Sequence, residues 1–365
     1  MRILLALIAS VVALVLLVPV VILLAPFFIV ALATRTIARR LEPAYLTRDE
    51  LIQFDRVFGW KPRPHLRTHH LMGDLFRIAT DADGWRGRAT LSQSDVVVIG
   101  DSFAAGYGVG EEAIFANLST RPVVKPVGIG GYSMVQELMW MRELAPALRN
   151  KLVVWFVFFG NDLYDNLSPE LRGYRKPFVR EQRATGGWEI VSQHISPDKW
   201  PIQVRGRKGH IHLTTLAQLC SDTFLARRAY SACEWLIEEG RRVCAAAGAD
   251  LMLLTIPDPH MLTEEGLDVL RSLEPGLRDF DQQRPDRMFA TICGRLGVPI
   301  VAGTSFLDVS CYKPNDCHWN EAGHQRVAAR LRELHEQRTR ADVRPAAVHD
   351  SLAPGLHAPR VGVIG

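Results

Sequence analysis

No C-x-x-C pair occurs in these 365 residues, no run of lysine and arginine is interleaved with aromatics, and no segment repeats. Without paired thiols there is no zinc-ribbon or dithiol redox signature. The six cysteines, Cys220, Cys233, Cys244, Cys293, Cys311 and Cys317, read as buried or free thiols. The alternative is a Cys311–Cys317 bridge, which would require an oxidising compartment. The net charge is only +4, so the balance gives no push toward nucleic acid. With 48% apolar and 22% charged residues, the chain is an ordinary globular one and not a disordered one.

What is present begins with an uncharged stretch from Ile3 to Ala33. A helix needs roughly 20 apolar residues to cross the hydrocarbon of a bilayer. The stretch exceeds that length, and also exceeds the apolar core of about 7–15 residues usual in a cleaved signal peptide. Residues 1–34 are therefore read as a transmembrane anchor. Pro19 and Pro26 would kink it, which membrane helices tolerate. Arg2 on one side, against Arg35, Arg39 and Arg40 on the other, leans weakly toward a cytoplasmic body. A connector over 35–74 follows.

From Asp95 the pattern changes. Val96 to Ile99, Leu152 to Phe159 and Leu251 to Ile256 are short, largely apolar runs, Val298 to Val301 is a weaker fourth, and Val123 to Val127, which holds Lys125, is a fifth. Such runs fit strands buried on both faces, as in a parallel sheet. Helical segments lie between them. Ser133 with Gln136 has the form of a capping box opening a helix to about Leu148. Glu234 to Ala247 and Asp286 to Leu296 are two more, and Asn320 caps a last one to about Gln337. The alternation predicts an α/β fold with helices on both faces of a parallel sheet. The polar stretch 164–223 interrupts it and reads as an inserted hairpin or lid-like region. Residues 339–365, without periodicity, read as a disordered tail.

Ligands bind beyond the carboxyl ends of the strands in such sheets. Four polar blocks fall at those ends or at helix starts: Gly100-Asp101-Ser102, Gly128-Ile129-Gly130-Gly131, Gly160-Asn161-Asp162 and Asn315-Asp316-Cys317-His318. They suit acyl transfer. A serine hydroxyl needs a base to take its proton, and His318 can be that base. Asp316 can hold the imidazole tautomer. The Ser102 and Gly131 backbone N–H groups and the Asn161 amide can receive an oxyanion. Asp101 and Asp162 read as carboxylates that accept backbone hydrogens in the tight turns beside those groups. The usual G-x-S-x-G elbow is absent, since Phe103 and Ala104 follow Ser102.

These blocks resemble the SGNH hydrolase superfamily in its GDSL-type branch. That family places a serine, a glycine, an asparagine and a histidine in four blocks in this order, matched by Ser102, Gly131, Asn161 and His318. The resemblance spans roughly residues 75 to 338. It implies a flavodoxin-like three-layer α/β/α sandwich and ester hydrolysis with no metal or organic cofactor. In relatives an asparagine often stands where this chain has Pro126, and the aspartate often stands three residues before the histidine, where this chain has Asn315. The Asp-x-His-Trp form is similar to a sub-branch active on bacterial surface polysaccharides. The resemblance, taken with the anchor, implies a bacterial cytoplasmic-membrane protein with its domain outside.

The expected partner is a small-molecule, lipid or glycan ester, with no nucleic acid. An O-acyltransferase acting on an envelope polysaccharide would use the same residues. A non-catalytic glycan-binding or scaffold protein is a third reading, for which Ser102 would be dispensable. Phe76 to Gly87 reads as an edge strand and turn covering the sheet. His69-His70 and His210-x-His212 read as surface loop. Asp258-x-His260 offers a second Asp-x-His pair after a strand, a position from which it can reach the site, but the helix-opening position of His318 suits the family better.

Overall fold

The computed structural model describes residues 45–46, 48–72, 74–171, 174–182, 184–192, 195, 211–314 and 316–343, together with 15 and 24–26. The anchor expected over 1–34 and the tail beyond 343 lie outside the described residues, apart from those isolated positions. Among the described residues no helix is long and apolar enough to cross a membrane.

The apolar runs become five parallel strands: β1 (Val96–Gly100), β2 (Val124–Gly128), β3 (Leu152–Phe158), β4 (Asp250–Ile256) and β5 (Ile300–Val301). Their spatial order is β2-β1-β3-β4-β5. In the register, Val96 lies opposite Val124 on one side and Leu152 on the other, and Leu152 in turn lies opposite Asp250. Every residue of β1 and β3 is buried. That is why they read as continuous apolar runs and not as alternating ones.

Successive side chains on each strand serve opposite faces. Val97, Ile99, Val153, Trp155 and Leu253 join one core with α1 (Met134–Leu144), α4 (Phe224–Ala247) and α6 (Arg284–Leu296). Val96, Val98, Val154, Phe156 and Leu254 join a second core with Phe115 and α7 (Glu321–Val343). This is a three-layer α/β/α arrangement, as expected. Between these elements lie α2 (Asp162–Asp165), α3 (Ile211–Leu219) and α5 (Glu264–Leu273).

The expected helix boundaries shift in four places, one of them the start of α6 at Arg284 and not Asp286. The capping box at Ser133 forms, but α1 ends at Leu144 and a 3-10 turn, Ala145–Ala147, holds Pro146. A proline lacks the N–H that would continue the ladder. α4 starts at Phe224, where the Thr223 hydroxyl accepts the Ala226 N–H at 3.0 Å. α7 runs on to Val343, so its last turn occupies ground read as tail.

Two stretches outside the strand–helix alternation carry order of their own. Within the 35–74 connector, Ile52–Asp55 and Gly59–Pro62 form a hairpin whose Phe58 and Trp60 are buried. Arg67–Met72 pairs with Asp74–Ala79 in a small sheet apart from the central one. His69 and His70 are therefore in a strand and not a surface loop. Alternation turns His70 inward, where it packs against Phe76 and Tyr107. In the 164–223 insert, Phe178–Glu181 and Trp188–Val191 make a hairpin.

Candidate active site

A sheet ordered β2-β1-β3-β4-β5 reverses its winding between β1 and β3, and ligands lie at that switch point. Ser102 follows the end of β1 by two residues, and Asn161 follows β3 by three. The loops must approach closely there. A Cβ on Gly128, at the end of β2, would stand 2.7 Å from the Asp101 and Gly100 carbonyl oxygens. Only glycine allows that approach.

The structure joins three of the expected residues directly. His318 Nε2 is 2.8 Å from Ser102 Oγ, and His318 Nδ1 is 2.6 Å from Asp316 Oδ1. The same Asp316 oxygen accepts the His318 backbone N–H at 3.0 Å. One carboxylate oxygen thus fixes both the main chain and the ring of the histidine. The loop is secured behind by Asn320, whose side chain donates to the Ser310 and Tyr312 carbonyls and caps α7 by accepting the Gly323 N–H. The Phe103 ring stacks on His318 at 5.3 Å, and Tyr107 lies 5.9 Å away.

Burial alone would lower the His318 pKa. The Cys317 sulfur and the Asp316 carboxylate outweigh that and raise it to about 10. Asp316 is itself lowered to about 2; burial opposes this shift, and the bonds from His318 overcome it.

Gly131 adopts φ +83°, a conformation that L side chains rarely take. Asn161 Nδ2 lies 3.5 Å from the Tyr132 carbonyl, at the outer limit for a hydrogen bond. This contact brings the Gly131 and Asn161 loops together while leaving the amide scarcely engaged. Asp101 accepts the Phe103 N–H at 2.9 Å and lies 3.3 Å from Ser102 Oγ. Asp162 accepts the Phe158 N–H at 2.7 Å. Both carboxyls are buried and pushed above the ordinary range by that burial.

Asp316, Cys317 and His318 also bring three metal-ligand-type atoms within 4.8 Å of one another, the one such group among the described residues. Both imidazole nitrogens are already engaged, one with Asp316 and one with Ser102. All six cysteines are free, Cys311 and Cys317 included. Tyr132 and Trp319 are core residues, 1% and 0% exposed. His324 is buried on α7 and stacks on Phe115, and burial first, then Arg86, holds its pKa down to about 3.

Two supports had no sequence signal. Arg86, read as part of an edge turn, is buried and donates to Glu111 at 2.7 Å and to the carbonyls of Ala105, Gly106 and Val109. It thereby clamps the loop that leaves Ser102. Lys176, from the insert, is buried and donates to Ser133 Oγ at 3.2 Å and to the Asp165 carbonyl. Burial lowers its pKa to about 8 against the pull of Asp165, Asp162 and Glu137. Glu137 accepts the Trp155 indole N–H at 2.7 Å and is raised well above the usual range, chiefly by burial. A lysine among three acids cannot be placed from sequence, because it comes from the insert and its neighbours from α1, its cap and α2.

No family model and no curated protein matches the chain. Among solved structures it is similar to a GDSL-like lipase from Bacteroides thetaiotaomicron, at 12% identity and TM-score 0.36 over 69% of this chain and 92% of that one. It is similar to an inhibitor-bound aryl esterase of M. smegmatis, at 10% identity and TM-score 0.37 over 67% and 99%. It is also similar to a carbohydrate acetylesterase family member from Sinorhizobium meliloti, at 12% identity and TM-score 0.37 over 67% and 98%. At these identities and scores the superpositions do not decide the reaction, which rests on the residues themselves.

Proposed function

We propose that the chain is a serine ester hydrolase of the SGNH type, removing an acyl group, acetyl included, from an oxygen ester through an acyl-enzyme on Ser102. The observation that carries this reading is the unbroken line Ser102 Oγ, His318 Nε2, His318 Nδ1, Asp316 Oδ1, with contacts of 2.8 and 2.6 Å. His318 takes the hydroxyl proton as Ser102 attacks the ester carbonyl. It then gives the proton to the departing alkoxide, and repeats both steps with water. Asp316 holds the Nδ1 hydrogen and stabilises the imidazolium. The Ser102 and Gly131 N–H groups and Asn161 Nδ2 receive the developing oxyanion. Asp101 and Asp162 hold the turns in place by accepting backbone hydrogens.

The direct test is covalent. A fluorophosphonate is expected to label wild-type protein at Ser102 and to abolish hydrolysis of p-nitrophenyl acetate and butyrate in step with labelling. A folded protein that hydrolyses these esters while its label maps elsewhere rules the reading out. Asn161→Ala is expected to lower turnover on the order of 10²–10³ while leaving labelling detectable. Near-wild-type turnover in that variant would remove Asn161 from the oxyanion site.

An O-acyltransferase acting on an envelope polysaccharide would use the same residues and would show acetyl transfer to a sugar outpacing transfer to water. For location, the uncharged stretch from Ile3 to Ala33 supports a single-pass membrane anchor, and the family resemblance, set against the weak charge asymmetry, supports the bacterial cytoplasmic membrane with the domain outside. A C-terminal reporter active only in the cytoplasm would overturn that placement.

A further inference from the structure

The local geometry of Asp316-x-His318 occurs a second time. Asp258 Oδ1 accepts the His260 backbone N–H at 2.9 Å and is 2.8 Å from His260 Nδ1, against 3.0 and 2.6 Å in the first pair. Asp258 is fully buried at the carboxyl end of β4, and its Oδ2 has no hydrogen-bond partner among the described residues. A Cβ on Gly160, the residue before Asn161, would lie 3.2 Å from that oxygen. The His260 side chain is 36% exposed.

Both pairs line one cleft of about 1050 Å³. Tyr312 ties them together. Its backbone bridges to Trp319, next to His318, and its hydroxyl donates to the Pro257 carbonyl at 2.7 Å, next to Asp258. The second imidazole is therefore held at a fixed offset from the reacting one. It makes no contact with Ser102, so the hydrolytic cycle gives it no proton to move.

We propose that the Asp258–His260 pair is a subsite for a hydroxyl on the alcohol side of the ester, so that the substrate is the ester of a polyhydroxylated alcohol such as a sugar. With Nδ1 turned to Asp258, the ring presents Nε2 outward. Neutral, that nitrogen accepts a hydrogen bond; protonated, it donates one. A hydroxyl can meet both states, whereas a carboxylate meets only the second. The bond from Asp258 raises the His260 pKa, with burial opposing. Leu213, Val269 and Val309 in the same cleft give the carbon face of a sugar ring apolar surface to cover.

This rests on the serine-esterase reading, and the test separates the two. His260→Ala is expected to lower kcat/KM for methyl 6-O-acetyl-glucoside about tenfold, chiefly through KM, which is the worth of about one hydrogen bond. p-Nitrophenyl acetate, which offers no such hydroxyl, should change less than twofold. His260→Gln, whose amide still meets a hydroxyl, should recover part of the loss. Equal losses on both esters, or none on either, would overturn the subsite. Ser102→Ala protein with labelled histidine rings gives a readout without turnover: the acetylated glucoside should shift the His260 resonances at millimolar concentration. No shift rejects the subsite whatever the kinetics. Hydrolysis surviving in Ser102→Ala rejects the serine reading instead and leaves the resonance experiment decisive for His260.

Discussion

Ser102→Ala and His318→Ala are each expected to lower kcat for p-nitrophenyl acetate on the order of 10⁶, and the double variant no further than either single one. The reason is geometric. The 2.8 Å contact makes one device of two residues: the hydroxyl without the base is a weak nucleophile, and the base without the hydroxyl has nothing to activate. Asp316→Asn is expected to cost less, about 10⁴, since it spoils the tautomer and the charge but leaves the pair in place. The same variant should move the pH profile. Only the neutral imidazole can take the serine proton, so activity falls as pH drops through the His318 pKa. That pKa is raised, with Asp316 among the causes. Removing the carboxylate lowers it, so the rising limb of kcat/KM should shift to lower pH while the plateau falls. Losses that multiply across the double variant, or a limb that stays where it was, would contradict a Ser102–His318–Asp316 relay.

What sequence could reach was set by how local each signal is. β1 and β3 are buried at every position, so composition alone marks them. Ser102 and Asn161 come with them, because they lie two and three residues past the strand ends. Asp316 and His318 are two residues apart, within reach of a single turn. The Asp258–His260 pair was visible for the same reason, and its place near the site follows from the carboxyl end of β4. The edges were less legible. β5 keeps only Ile300 and Val301 of a four-residue run, as its partner β4 pairs with it at Leu253 and Leu254 alone. The hairpin at 52–62 has too few residues for periodicity to speak, although Phe58 and Trp60 are buried in it. His70 looked like half of an exposed pair until strand pairing fixed which way it faced. Arg86, Glu137 and Lys176 were invisible as a class. A buried charge is identified by partners from remote elements, and nothing in its own neighbourhood distinguishes it from a solvated one.

Arg86→Ala is expected to lower the unfolding free energy by about 3–5 kcal/mol, measured by urea denaturation, because it strands Glu111 as a buried charge. Its side chain is 4% exposed and that of Glu111 is 10%. A buried ion pair can often be exchanged for apolar residues at little cost. That rescue should fail here. Arg86 also satisfies the Ala105, Gly106 and Val109 carbonyls, and Glu111 also accepts the Ala79 N–H at 3.0 Å. Arg86→Met with Glu111→Leu removes the charges but leaves those backbone groups unpaired, at about 1–3 kcal/mol for each one left buried. Arg86→Lys should be destabilised too, as three donors on a flexible stem do not reproduce the planar fork. The loop from Ala105 to Val109 carries Tyr107, which packs on His318. Loosening it should therefore lower turnover even in the folded fraction of each variant. A double variant as stable as wild type would reduce Arg86 to a counter-ion for Glu111. A double variant that stays unstable, with turnover falling in parallel, identifies the guanidinium as the clamp that holds the Ser102 loop in its working shape.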